Sequence, residues 1–291
     1  MAEAEDHDPP SATIIAVSNQ KGGEGKTTTA VNLAASLAAS ERRVLLIDLD
    51  PQGNASSSVG YARDEVTVGA YELMLGQATL DEAVQETELP TLSVIPASAD
   101  LTGAEIELVS TDHRESVLRR ALLRGDARSR WDFIVFDCPP SLGLLTLNAL
   151  VAADAVLIPM QARYFSLEGL GALHGTIDAI RNSFNPQLVI EGIVFCMFDQ
   201  RTNLAKQVVA EVEKHFPQYV FDTRIPQNIR LSESPSFGKP ALLYDIGSKG
   251  AVAYLDLAEE LLQRMEARNT ASSQSREDSD TDTDKEARSP A

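Results

Sequence analysis

The sequence predicts an α/β fold with a doubly wound, mostly parallel sheet flanked by helices, and three observations carry that prediction. A short apolar run, Ile14-Ile15-Ala16-Val17, enters a glycine-rich segment, and the stretch from Thr27 to Ala39 then repeats apolar residues at helical spacing (Val31, Leu33, Ala34, Leu37, Ala38). A second nearly continuous apolar run, Arg43 to Leu49, follows, and strand, helix, strand in this spacing is a βαβ unit with parallel strands. The alternation continues to Met265 without an internal repeat or a linker, which keeps it in one domain.

In order, the apolar and periodic stretches predict helices over 68–75, 80–84, 115–123, 142–152, 167–184, 204–216 and 249–265, and strands over 92–95, 155–159 and 188–197. Trp131 to Ser141 holds a further strand, Phe133-Ile134-Val135-Phe136, ending in Asp137. Arg114, Arg119, Arg120 and Arg124 read most simply as a solvated helix face.

Composition bounds the function classes. The chain has 291 residues, 43% of them hydrophobic, enough to bury a substantial core. Cys138 and Cys196 are the two cysteines, too few for a disulfide framework or a Cys-rich metal site. No apolar run reaches the roughly 18 residues of a membrane span, and a cytoplasmic protein is expected. The net charge is −18, but residues 198–250 carry 7 Lys/Arg against 6 Asp/Glu, so any nucleic-acid contact is expected in a local patch there. Residues 1–12 and 268–291, acidic and poor in apolar side chains, are expected to be disordered on either side of a domain spanning 13–267.

The chemistry concentrates in Ser18-Asn19-Gln20-Lys21-Gly22-Gly23-Glu24-Gly25-Lys26-Thr27-Thr28-Thr29. Between a strand and a helix, Gly25-Lys26-Thr27 reads as the end of a phosphate-binding loop: backbone N–H groups surround phosphate oxygens, the lysine reaches the terminal phosphates, and the threonine hydroxyl takes Mg²⁺. The strict pattern has a glycine where this chain has Gln20, and Lys21 opens the loop instead. Asp48-Leu49-Asp50-Pro51-Gln52-Gly53-Asn54 ends the second strand, where a parallel sheet opens its ligand crevice, although a plain turn also favours Asp, Pro, Gly and Asn. Asp137 at the end of an apolar strand suits a Walker B acid.

Lys21-Gly22-Gly23-Glu24-Gly25-Lys26-Thr27-Thr28 resembles the signature of the deviant Walker A ATPases, and five spaced segments from about Thr13 to Met265 resemble the ParA/Soj branch. The resemblance implies a P-loop ATPase with ATP and Mg²⁺ as cofactors. It assigns Lys21, Lys26 and Asp50 to catalysis, with Lys21 reaching the nucleotide of a second chain and Asp50 orienting the attacking water. It places Lys21 to Thr28 on ATP, with Pro226 and Asn228 against adenine, and Thr27, Asp137 and Asp48 on the metal. Arg201 and Arg230 match arginines of a non-specific DNA patch; Gln227 stands where relatives often have another. The implied partners are a second copy of the chain, DNA and a ParB-type centromere-binding protein, at the nucleoid. The implied function is DNA partition, with positioning of another cargo as an alternative; a MinD-like membrane regulator is disfavoured by the acidic tail.

Glu24 departs from the pattern, since relatives usually have a small or apolar residue there. A carboxylate turned inward at about 6 Å from phosphate would be repelled by roughly 3 kcal/mol per unit charge at an effective dielectric near 20. Only backbone groups of the loop need face phosphate, so Glu24 is expected to turn outward toward a cation such as Lys21.

Overall fold

The computed structural model describes residues 11–286. Eight strands form one sheet: β1 Thr13–Val17, β2 Val44–Asp48, β3 Gln85–Glu86, β4 Leu92–Ile95, β5 Phe133–Asp137, β6 Ala155–Gln161, β7 Val189–Phe198 and β8 Val220–Pro226. Their order is β3-β4-β2-β5-β1-β6-β7-β8, with every neighbouring pair parallel except β3 and β4. The chain starts in the middle, at β1, and builds outward in both directions. That places the switch in strand order, where open α/β sheets bind ligands, beside the loop that follows β1.

Successive residues of the central strands face opposite layers, and both layers are dry. Ile14, Ala16, Leu45, Ile47, Ile134 and Phe136 belong to one core; Ile15, Val17, Val44, Leu46, Phe133 and Val135 belong to the other. Burial on both faces explains why these strands read as continuous apolar runs. The first core is closed by helices Val117–Arg124, Leu144–Ala152 and Tyr164–Ser183. The second is closed by α1, Lys26–Ala39, and by the C-terminal helix through Tyr254, Leu257 and Leu261. Packed on both the sheet and the C-terminal helix, α1 buries nearly its whole circumference.

Three differences from the sequence reading have physical causes. The apolar pattern does not predict β8, because this edge strand mixes Asp222, Thr223 and Arg224 with its apolar residues and only Val220, Phe221 and Ile225 are buried. The C-terminal helix does not stop near 267 but runs Lys249–Glu286, through the stretch expected to be disordered; no Gly or Pro interrupts the sequence between Gly250 and Pro290. The domain also begins one residue early: Ala12 is buried, and its N–H donates to the Arg128 carbonyl at 2.9 Å. Residues 1–10 and 287–291 of the expected disordered ends lie outside the described residues.

β7 approaches the chain before β8 closely at Gly192, where an added Cβ would lie 2.3 Å from Cε2 of Phe221 and 2.7 Å from the Tyr219 carbonyl oxygen. The Phe221 ring is fully buried under the Arg264 guanidinium, 4.1 Å away, so it has no room to retreat. Gly192→Ala is therefore expected to lower stability by about 1–3 kcal/mol, the usual cost of overpacking. An unchanged urea midpoint in the variant would show that β8 shifts freely.

Candidate active site

The loop after β1 is shaped by glycines in conformations that L side chains avoid. Gly23 has φ +75 and Gly25 has φ +92, and a Cβ on Gly25 would press on the Cys196 Cβ at 3.2 Å. No side chain caps α1, so the N–H groups of its first turn remain available to an anion. The loop's base is tied down on the neighbouring strand: Asn19 Nδ2 donates to the Pro159 carbonyl at 2.8 Å, and Gln161 Nε2 donates to the Gly23 carbonyl at 2.6 Å.

Lys26 is buried at the start of α1, and its Nζ donates to the Lys21 carbonyl at 2.9 Å. Burial lowers its pKa, while the charges of Asp137, Asp50 and Glu24 oppose that shift.

Two carboxylates stand side by side across from it, because β2 and β5 pair Asp48 with Asp137. Asp48 is well satisfied: Oδ2 accepts from the Ser56 N–H at 2.8 Å and the Ser56 hydroxyl at 2.6 Å, and Oδ1 accepts from the Asp50 N–H at 3.1 Å. Burial pushes its pKa up to about 6, against the pull of these donors. Asp137 differs: it is fully buried and neither carboxylate oxygen has a well-formed hydrogen bond. Burial, then the Asp48 charge, raises its pKa well above the usual range, only partly offset by the nearby Thr27 hydroxyl and by Lys26. Asp50, three residues before the left-handed Gly53, is buried and accepts the Gln52 N–H on Oδ1 at 2.9 Å.

Beside the loop, Gly25, Thr28, Pro226, Asn228, Leu231 and Tyr254 line a small cavity of about 110 Å³. Asn228 is fixed there as an N-cap, its side chain accepting the Arg230 N–H at 2.9 Å. The structure thus brings together the loop, Asp48, Asp50, Asp137, Pro226 and Asn228. Arg201 and Arg230 lie farther out, after β7 and β8, and both are neutralised locally. Arg201 makes a two-pronged contact with Asp199 at 2.9 and 2.8 Å, while Arg230 pairs with Glu233 at 2.8 Å and Asp245 at 3.2 Å. Cys138 and Cys196 are buried thiols with pKa values pushed up by burial, to about 12 for Cys196, which suits packing and not nucleophilic chemistry.

Three residues with no role in the sequence reading brace the site. Ser56 links Asp48 to the chain after β4 by also accepting the Ala97 N–H at 2.9 Å. Gln161 and Ser166 hold the rim of the loop, Ser166 by donating to Glu24 at 3.0 Å. Gln161 ends β6, while Ser56 and Ser166 lie in the helices that follow β2 and β6, and no local pattern marks any of the three.

A family model described as an AAA domain matches residues 12–190. The chain is 57% identical over 251 residues to the chromosome partitioning protein ParA of Myxococcus xanthus, covering 86% of this chain and 88% of that one. The chain belongs to the ParA/Soj family of chromosome-partitioning ATPases. The sporulation initiation inhibitor protein Soj of Bacillus subtilis is 51% identical over 248 residues, 85% of this chain and 97% of its own. Among solved structures, a protein described as cobyrinic acid a,c-diamide synthase of Mycobacterium smegmatis, with bound ADP and magnesium, superposes with TM-score 0.77 at 35% identity over 88% of this chain and 96% of that one. The ParA/Soj assignment confirms the P-loop fold class and the ATPase activity, with ATP and Mg²⁺ as cofactors.

The residues present fit Mg²⁺. A buried carboxylate with two unsatisfied oxygens, next to a threonine hydroxyl at a helix start, is a donor set suited to a hard cation. Asp48 offers less, since it already accepts three hydrogen bonds. Asp137→Asn is expected to stabilise the nucleotide-free protein by about 1–3 kcal/mol, because it removes a buried carboxylate that the nearby Thr27 hydroxyl and Lys26 only partly compensate. The same change should abolish the strengthening of ATP binding by Mg²⁺. Urea unfolding with nucleotide titrations in Mg²⁺ and EDTA checks both, and undiminished Mg²⁺ dependence would remove Asp137 from the metal site.

Proposed function

We propose that this chain partitions DNA: with ATP and Mg²⁺ two copies pair into a nucleotide sandwich, bind DNA without sequence preference at the nucleoid, and separate when a ParB-type partner stimulates hydrolysis. The observation that carries the reading is the crevice itself, in which the buried Lys26, Asp50 and the orphaned Asp137 converge on a loop whose second lysine, Lys21, lies at the rim, 38% exposed. The family membership supports it, as do the ADP and magnesium held by the Mycobacterium smegmatis neighbour.

Each residue then has a task. The first-turn N–H groups of α1 and Lys26 hold the phosphates, and Lys26, kept dry, gives its charge undiluted by water. Thr27 and Asp137 hold Mg²⁺, which when bound offsets negative charge on the terminal phosphates. Asp48, fastened to Ser56 and to the Asp50 N–H, fixes the turn from which Asp50 orients the attacking water. Pro226 and Asn228 wall the cavity for the base. Among the described residues no helix is long and apolar enough to cross a membrane.

If Asp50 orients the water, Asp50→Ala should bind ATP and pair as wild type does while steady-state phosphate release drops by about two orders of magnitude or more. Release near the wild-type rate would exclude that role.

The DNA surface needs Arg201 and Arg230 to exchange their own carboxylate partners for phosphates. Binding should fall steeply with salt, and the slope should shrink by about 1 for each phosphate left without its arginine when either residue becomes glutamate. Asp199→Asn, which releases the Arg201 guanidinium, should tighten ATP-dependent DNA binding several-fold. Fluorescence anisotropy on random duplexes decides between this patch and another, since equal binding by wild type and the double glutamate variant would place the interface elsewhere.

A further inference from the structure

Glu24 sits in a glycine loop beside a phosphate site, yet only 1% of its side chain is exposed. It is turned onto the end of β6, as expected of an outward arrangement. Oε2 accepts the backbone N–H of Gln161; Oε1 accepts the Ser166 hydroxyl at 3.0 Å and lies 3.1 Å from Lys21 Nζ. Lys21 Nζ also donates to Ser166 Oγ at 3.4 Å, so the lysine and the carboxylate share one hydroxyl.

The two members of the pair are unequal. Glu24 is buried and fixed by Gln161 and Ser166, whereas Lys21 is 38% exposed and its ammonium has no further fixed acceptor beyond Ser166 and Glu24 among the described residues. When Lys21 leaves, Glu24 keeps two donors and is not stranded as a bare buried charge, so the pair can open without unfolding the loop.

We propose that Glu24 is a positioning residue that stores Lys21 on its own chain and thereby raises the ATP level at which two chains pair. The inference rests on the sandwich reading above, in which Lys21 must leave its own chain's Glu24 to meet the nucleotide of the second chain. A half-exposed ion pair of this kind is worth about fivefold in an equilibrium.

The test uses the full-length chain and two independent readouts. Glu24→Gln keeps an acceptor for the Gln161 N–H and removes the charge; Glu24→Val removes both. In the nucleotide-free monomer, acetylation of Lys21 by acetic anhydride, followed by peptide mass spectrometry, reads the stored lysine directly. Lys21 should react more slowly than the exposed Lys206 in wild type and several-fold faster in either variant. Sedimentation against ATP concentration, in an Asp50→Ala background to stop hydrolysis, should show Glu24→Gln pairing at about fivefold lower ATP. Equal Lys21 labelling in wild type and both variants overturns the stored lysine, whatever the assembly does. An unchanged pairing midpoint overturns its control of pairing, and a gain of about a hundredfold in monomer ATP affinity overturns it by assigning Glu24 to the phosphates instead. If wild type labels as expected but never pairs in ATP, the sandwich reading fails while the link between Lys21 and Glu24 stands.

Discussion

Asp48, Asp50, Asp137 and Lys26 share a crevice that water barely enters, and the rest of the site follows from keeping that arrangement folded. Parallel strands deliver the acids because β2 and β5 end in register, Asp48 opposite Asp137. Two adjacent buried carboxylates disfavour their own ionisation, and the fold answers them differently. Asp48 is satisfied internally and becomes a brace; Asp137 is left with unsatisfied oxygens and becomes the point where outside charge has to enter. On the function proposed above, that unsatisfied carboxylate is what would make binding of a cation and an anionic nucleotide favourable together.

A second regularity separates the crevice from its rim. Inside, Lys26, Asp48 and Asp50 are buried and anchored on backbone groups, and Asp137 is buried without such an anchor. At the rim, the cations with expected roles toward other molecules are each parked on a nearby acid: Lys21 on Glu24, Arg201 on Asp199, Arg230 on Glu233 and Asp245. Exposed pairs of this sort are worth little and exchange readily. A chain of net charge −18 can in this way carry cations for other molecules without a permanently basic surface.

What was legible in the sequence follows the strength of local constraint. The loop, Asp48, Asp50 and Asp137 were readable because glycine conformations and strand ends leave few alternatives, and the central strands because burial on both faces makes them uniformly apolar. β8 was not, since an edge strand with one wet face carries charges that mask its period. Pro226 and Asn228 were placed only by resemblance; β8 is what brings them back to Gly25 and Thr28. Ser56, Gln161 and Ser166 act through hydrogen bonds spanning 8 to 142 positions in the chain, and no short-range pattern encodes such links.

The C-terminal helix shows how far the site extends beyond the loop that announces it. Tyr254 is fully buried, its hydroxyl meets Thr29 of α1 at 3.0 Å, and Thr29 in turn lies 3.5 Å from the Cys196 thiol of β7. Tyr254 also lines the cavity beside Gly25 and Thr28. With Leu257 and Leu261 it joins the buried cluster shared by α1 and β8, and burying each such side chain stabilises by roughly 1.5–3 kcal/mol. Three of them together approach the whole net stability of an ordinary domain, about 5–15 kcal/mol. The helix that carries the phosphate loop is therefore held by the last helix of the chain as well as by the sheet, which ties the loop at the start of the sequence to residues some 230 positions later.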